Sequence, residues 1–393
     1  MAKATYVSPF DQPLPQGTYY NEDHEAWRQT LRKFIDQEIM PYINEWDEAE
    51  GYPLELHKKA ADIGLIGLGY PEEYGGMPRT DHFFGLITAQ EMGRIGAGGL
   101  NASLMTHGIA LPPIVHLGSD ELKEKVLPGV LAGEKIAALA ITEPGAGSDV
   151  ANISTKAVRE GDHYIVNGSK MFITSGLRAD YYTVAVRTGG EGMGGISLLM
   201  IEKDTAGFTQ SELKKMGWWC SDTAALYFDN CKVPVSHLIG EENQGFMGIM
   251  LNFNSERLGM SSGAIASAQV CLDYAIAWGQ ERKTFGKRLL DHQVIRHKIV
   301  QMAQKIRVSQ AFLEQCTQRV QNGELIVDDL CMLKVQATET MEFCAREAMQ
   351  VLGGSGFMRG NPVERIYREV RVNAIGGGSE EILRDLAARQ MGL

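Results

Sequence analysis

The chain of 393 residues contains no Cys-x-x-Cys pair. Its six cysteines (Cys220, Cys231, Cys271, Cys316, Cys331 and Cys344) stand apart. That spacing argues against a disulfide framework and reads as reduced thiols in a cytosolic protein. No apolar run approaches the roughly 20 residues of a membrane span. The nine histidines are scattered, and His292 and His297 are not at the i, i+4 spacing of a helical metal pair, so no metal site is expected. Cationic charge is also short: 38 Lys and Arg stand against 49 Asp and Glu, a net charge of −11. Phosphate-rich partners need clustered Lys and Arg, so nucleic acid and anionic membrane surfaces are poor candidates. The first ten residues hold neither a signal-peptide apolar core nor an Arg-rich transit pattern, and a cytoplasmic location is expected.

What remains is a globular composition, 44% apolar and 22% charged, in a chain long enough for two or three domains. Residues 1–20, with three prolines and a glycine, read as an extended, poorly packed arm. Helical periodicity predicts helices over Asn21–Met40, Leu54–Ile63, His82–Gly93, Gly99–Ala110 and Glu121–Val130, the last capped by Ser119. The segment Pro71–Gly76 reads as a loop. From Lys135 the pattern changes. Strands are expected at Lys135–Thr142, Ser154–Glu160, His163–Asn167, Lys170–Thr174, Asp180–Arg187, Ile196–Glu202 and Ala224–Asp229, with Gly and Asn turns between them. Short strands so spaced suggest a compact β-barrel or sandwich. From Gly245 onward, with no proline until Pro362, two long helices (Phe246–Gln280 and His292–Asn322) and two shorter ones are expected. The α+β order divides into 1–134, 135–240 and 241–393.

Two places stand out chemically. Ala138-Leu-Ala-Ile-Thr-Glu-Pro-Gly-Ala-Gly-Ser-Asp-Val150 starts as a strand and breaks at Pro144. Gly145 and Gly147 let the backbone approach a flat or anionic ligand, although the same residues suit an ordinary turn. The G-x-G-x-x-G spacing is missing, so it is not a Rossmann fingerprint. The second place is Glu256. Phe246, Ile249, Met250, Phe253, Met260 and Ala264 form an apolar helical stripe, and Glu256 lies on it. A carboxylate there is either a base whose pKa burial raises, or an edge residue that reaches solvent or a cationic partner.

The 138–150 stretch resembles the first signature of the acyl-CoA dehydrogenase flavoproteins. Four more blocks agree in order: Lys170-Met-Phe-Ile-Thr-Ser-Gly176, Arg282-Lys-Thr-Phe-Gly-Lys287, Gln350-Val-Leu-Gly-Gly-Ser-Gly356 and Gly376-Gly-Gly-Ser-Glu-Glu381. The resemblance implies an N-terminal helical domain, a central β-barrel domain and a C-terminal four-helix bundle. It implies FAD, an acyl-CoA substrate, electron-transfer flavoprotein as electron acceptor, and a homotetramer built as a dimer of dimers. In the family's reaction a carboxylate removes the α-proton of the thioester and the β-hydrogen leaves as hydride to the flavin. Many relatives carry that carboxylate where this chain has Gly377. The isovaleryl-CoA and long-chain branches carry it on the first C-terminal helix, and the match here is Glu256. Gly377 retains the backbone donor to the thioester oxygen.

By the same resemblance Leu139, Ile141, Thr142 and Ser148 line the flavin ring, and Phe172, a tryptophan in many relatives, covers it with Thr174. Arg282, Thr284, Phe285, His292 and Gln293 meet the pyrophosphate and adenine. Gln350, Gly353, Gly354, Ser379 and Glu381 complete the site, with the Arg282 and Gln350 sets coming from a neighbouring subunit. Ser148, Asn254, Arg257 and Arg389 match positions that meet acyl-CoA, and Asn254 departs from an acidic residue common there. Gly376 stands where straight medium-chain enzymes usually have Tyr, which points to a 3-methyl-branched acyl chain such as an isovaleryl or citronellyl group. A straight long-chain enzyme is the alternative. An oxygen-using flavin oxidase or monooxygenase, or a non-catalytic flavoprotein, would use the same fold.

Overall fold

The structure, a computed structural model, describes residues 6–393; the side chains of residues 251–254 lie outside that description. The first third is helical: α1 (Glu22–Glu38), α2 (Ile43–Glu48), α3 (Glu55–Asp62), α4 (Phe83–Arg94), α5 (Gly98–Leu104), α6 (His107–Ala110), α7 (Pro112–Leu117) and α8 (Asp120–Leu131). Asn21 starts α1 because its side chain accepts from the His24 N–H at 3.0 Å while His24 Nδ1 accepts from the Asn21 N–H at 3.1 Å. The stripe Trp27, Leu31, Phe34 and Ile35 is buried as its spacing requires. Ser119 caps α8 through the Leu122 N–H at 3.2 Å. The helix expected over Gly99–Ala110 is instead broken near Met105–Thr106. The short helices α2 and α7 were not expected. The described part of the arm, residues 6–20, is neither simply extended nor loosely packed: it holds a 3-10 turn at Pro9–Asp11, and Tyr6 and Ser8 donate to the two carboxylate oxygens of Asp273, each at 2.6 Å.

The middle segment forms β1 (Ala137–Ala140), β2 (Lys156–Glu160), β3 (His163–Thr174), β4 (Tyr181–Arg187), β5 (Ile196–Glu202), β6 (Phe208–Glu212), β7 (Thr223–Pro234) and β8 (Leu238–Ile239). The sheet order is β6-β7-β3-β2-β4-β5-β8, with β1 added parallel to β4. Alternate residues such as Tyr164, Val166, Tyr182 and Val184 fill its core. The two strands expected across 163–174 are one strand, whose register slips at Val166–Gly168 and again at Lys170–Ile173. The second slip is a bulge that re-aims Met171 and Phe172.

The last segment comprises α9 (Gly245–Glu281), the hairpin β9 (Lys283–Thr284) and β10 (Lys287–Arg288), then α10 (Gln293–Gln321), α11 (Val327–Leu352), α12 (Pro362–Ile375) and α13 (Glu380–Gln390). After α10 there are three helices rather than the expected two, and α11, at 26 residues, is itself long. Helix α9 packs closely on α4 at Gly93, where a Cβ would lie 2.8 Å from both Ala266 Cβ and the Gly263 carbonyl.

Helix α12 ends in the Gly376–Gly378 turn and is anchored by a buried network. Arg368 donates to Asp47 of α2 at 2.8 Å and lies 3.7 Å over the Trp219 ring. Glu369 accepts from the Gly98 N–H at 2.7 Å. Burial pushes the Glu369 carboxyl up to about 7 from an ordinary 4.5, against the pull of that hydrogen bond. A raised carboxyl contributes stability that is complete below about 4.5 and is lost as pH rises through about 7. Glu369→Gln removes the titration but keeps an acceptor for Gly98. Relative to wild type, the variant should therefore gain on the order of 1.4 kcal/mol per pH unit across that window. Urea unfolding midpoints at pH 5, 6 and 7 measure this. A gap between the two proteins that stays constant with pH would contradict it.

Candidate active site

Strand β1 ends beside the bulge of β3: the Met171 N–H donates to the Thr142 carbonyl at 2.8 Å. This sets Ile141 and Thr142, just past the end of β1 and Leu139, against the stretch of β3 that carries Phe172 and Thr174. Phe172 has φ 63, a backbone conformation that bulky residues rarely adopt, and its side chain is 65% exposed. Ile141 is buried, Leu139, Thr142 and Thr174 are half-buried, and Ser148 is exposed on the turn that follows.

That turn is braced from below by a buried ion pair. Lys170 Nζ donates to Glu143 Oε1 at 2.7 Å and to the Ile141 carbonyl at 2.9 Å. Glu143 also accepts from the Ser154 N–H at 2.6 Å, the Ser154 hydroxyl at 2.8 Å and the Thr155 N–H at 3.0 Å. Burial works to raise the Glu143 carboxyl, but the Lys170 charge and these donors outweigh it and hold it at about 2. Burial pulls the Lys170 ammonium down to about 8, so the pair is ionised at neutral pH.

A second locus forms where α9 meets the Gly376–Gly378 turn. Gly377 has φ 67, and a Cβ built on it would lie 3.7 Å from Glu256 Oε1 and 2.6 Å from Met260 Sδ. The Glu256 carboxyl thus sits beside the space that a side chain at 377 would enter. Burial raises its pKa, while Arg257 and then Lys334 pull it back. The Gly376 N–H closes α12 on the Val372 carbonyl at 2.7 Å. Among the described residues the Gly377 N–H makes no backbone hydrogen bond. Arg257 is buried. The Asn254 side chain and Phe253 of the expected stripe lie outside the described side chains.

The other expected residues gather in separate places. Arg282 and Phe285 are exposed on the β9–β10 hairpin. Thr284 Oγ1 is 3.1 Å from His292 Nε2, and Phe285, 96% exposed, stands edge-on to the His292 ring. Gln293 is exposed at the start of α10. Gln350, Gly353 and Gly354 are exposed at the end of α11, and Glu381 on α13. Ser379 caps α13 through the Ile382 N–H. Arg389 is exposed and pairs with Asp385 on its own helix. Among the described residues no hydrogen bond or ring contact joins the hairpin to Thr142 or Phe172 within one chain. Three residues at these loci were not anticipated: Glu143 with its partner Lys170, and Lys334. A Lys at apolar spacing between Leu330 and Ala337 was the available sign of the latter.

Three family models match consecutive parts of the chain: the N-terminal domain of acyl-CoA dehydrogenase over residues 21–134, its middle domain over 138–231 and its C-terminal domain over 243–392. The chain belongs to the acyl-CoA dehydrogenase family. It is 35% identical over 376 residues to the mitochondrial long-chain specific acyl-CoA dehydrogenase of Rattus norvegicus, covering 95% of this chain and 87% of that one. It is 34% identical over 382 residues to the mitochondrial isobutyryl-CoA dehydrogenase of Dictyostelium discoideum, covering 94% and 89%. The crystal structure of acyl-CoA dehydrogenase from Geobacillus kaustophilus superposes with a TM-score of 0.92 at 37% identity, covering 96% of this chain and 100% of that one. The fold is the acyl-CoA dehydrogenase fold, with helical, β and helical parts in that order. As an acyl-CoA dehydrogenase the protein is an FAD-dependent oxidoreductase acting on a CH–CH donor. Among the described residues no helix is long and apolar enough to cross a membrane.

Proposed function

We propose that this acyl-CoA dehydrogenase oxidises a 3-methyl-branched acyl-CoA to the trans-2-enoyl-CoA, with Glu256 as the base. The observation that carries the reading is the pairing of Gly377 with Glu256, whose carboxylate lies 3.7 Å from where a Cβ at 377 would stand. The Glu256 carboxylate takes the α-proton, and burial makes it a stronger base than an exposed glutamate. The Gly377 N–H, unused by the backbone, donates to the thioester oxygen as negative charge develops there. FAD, when bound, accepts the β-hydrogen as hydride. A planar ring system fits against the exposed Phe172, whose bulge aims it outward beside Thr142 and Thr174. The hairpin Arg282, Thr284 and Phe285, with His292 and Gln293, holds the pyrophosphate and adenine of a neighbouring subunit's FAD. Gln350, Gly353, Gly354, Ser379 and Glu381 serve the same group. The assembly is a homotetramer, a dimer of dimers, with domains at 1–134, 135–240 and 241–393. Electrons pass on to electron-transfer flavoprotein.

The branched preference rests on Gly376, whose backbone is extended (φ −68, ψ 154), a conformation open to any residue. A Cβ there would lie 3.2 Å from the Val372 carbonyl, and a tyrosine would wall the space beside the base. Its absence leaves room for a methyl branch. Anaerobic bleaching of the holoenzyme by matched thioesters tests this. A 3-methyl-branched chain should reduce the flavin at least as fast as a straight chain of equal length. Gly376→Tyr should slow the branched substrate by roughly 10- to 100-fold more than the straight one, the scale of an overpacking cost of about 1–3 kcal/mol. Equal effects on both substrates, or a clear wild-type preference for straight chains, would favour a straight long-chain substrate instead.

A further inference from the structure

Leu330, Leu333, Ala337 and Met341 give α11 a buried face, and Lys334 lies on it, 1% exposed. Such a lysine needs its charge answered and its protons accepted. Its Nζ donates to the Gly378 carbonyl at 2.9 Å, in the same turn that carries Gly377. The titratable groups around it are Glu380 on α13, Glu256 and Arg257 on α9, and Cys331 on its own helix. Burial pulls the ammonium down to about 8, with Glu380 and Glu256 opposing, so it is mainly cationic at neutral pH. Glu256 responds in kind. Burial raises its carboxyl, and Arg257 followed by Lys334 favour its charged form.

We propose that Lys334 is a positioning residue for the proton transfer. It ties the turn that presents the Gly377 N–H to α11, and its charge favours the ionised form of Glu256. The inference rests on Glu256 being the base. One side chain thus serves both halves of the step: the carboxylate that must be charged before the α-proton moves, and the amide that meets the oxygen afterwards. Arg257, the stronger charge on Glu256, belongs to the same helix as the base. Lys334 touches the turn itself.

The test is the pH profile of flavin reduction by an acyl-CoA in the holoenzyme. Lys334→Gln keeps a donor for the Gly378 carbonyl and removes the charge. Lys334→Met removes both and suits the apolar face if Gln is not tolerated. Lys334→Arg keeps the charge. With the cation gone the base holds its proton to higher pH, so the acid limb should move up by about one pH unit in the Gln and Met variants. Below the limb the rate should be about tenfold lower, and it should recover at alkaline pH. In the Arg variant the acid limb should stay where the wild type has it. A uniform loss of rate with an unmoved limb in the Gln and Met variants would reduce Lys334 to a structural strut and overturn the proposal. Glu256→Gln, run in parallel, separates the two readings. Normal reduction in that variant overturns the base assignment itself. Loss of reduction there, together with unmoved limbs at 334, overturns only the role of Lys334.

Discussion

Glu256→Gln is expected to keep its FAD and to lose about four orders of magnitude in the rate of flavin reduction by an acyl-CoA, the upper end of what removing a general base costs. Glutamine fills the same space and cannot take the proton. Nothing in the strand and hairpin loci proposed to hold FAD depends on this side chain, so cofactor content should be normal. Anaerobic stopped-flow absorbance measures the rate, and a value within tenfold of wild type would rule Glu256 out as the base. Adding Gly377→Glu in that background should restore only part of the rate. The new carboxylate would start from nearly the same space, but from a backbone at φ 67 and against Met260 Sδ at 2.6 Å. Left-handed backbone costs a non-glycine residue roughly 1–2 kcal/mol, and Met260 must swing aside as well.

Lys170→Met should destabilise the fold by about 3–5 kcal/mol, because it strands the Glu143 carboxylate in the interior without its cation. The two side chains are 0% and 4% exposed, so water cannot take over. The sign of the pH dependence follows from Glu143. Its folded pKa, about 2, lies below the ordinary 4.5, so in the wild type its contribution is present above 4.5 and is lost as pH falls through about 2. Without Lys170 that advantage is gone, and the deficit of the variant should shrink as acid protonates Glu143. Denaturant midpoints at pH 7 and pH 4 measure both effects. Pairing the substitution with Glu143→Gln should recover much of the loss, since a buried ion pair costs more to break than to remove. A loss under 1 kcal/mol at pH 7 would show that the ion pair carries little.

The α, β, α order of the chain was legible because each part has its own periodicity and its own punctuation. Trp27, Leu31 and Phe34 mark a helix by spacing alone, and Asn21 and Ser119 announce where helices begin. Strand β6, Phe-Thr-Gln-Ser-Glu, shows only one buried residue and no clean alternation, so nothing local marked it. The turn between two expected strands at Asn167-Gly168 was instead absorbed into β3 as an irregularity, since pairing with β7 outweighs the local turn preference. The arm looked loose because its anchor, Asp273, lies more than 260 residues away. The candidate site divides the same way. Glu256 was conspicuous as a carboxylate on an apolar stripe, but its closeness to Gly377 joins α9 to the end of α12 and is written in neither segment. Lys334 was visible in principle as a charge in an apolar row, yet its purpose appears only once the Gly378 carbonyl is seen above it.

Helix α9 is a single rod of 37 residues that carries Glu256 in its first third and delivers Arg282 at its far end. About 39 Å of helix separates the two at the usual rise per residue. A chain therefore holds its own base and, at arm's length, a hairpin out of reach of that base. If the hairpin serves a neighbour, the two ends of one helix belong to two different reaction centres. An injury to the hairpin would then spare the chemistry of its own chain and silence the centre next door, so that oligomers mixed from two differently injured chains could still contain one intact centre.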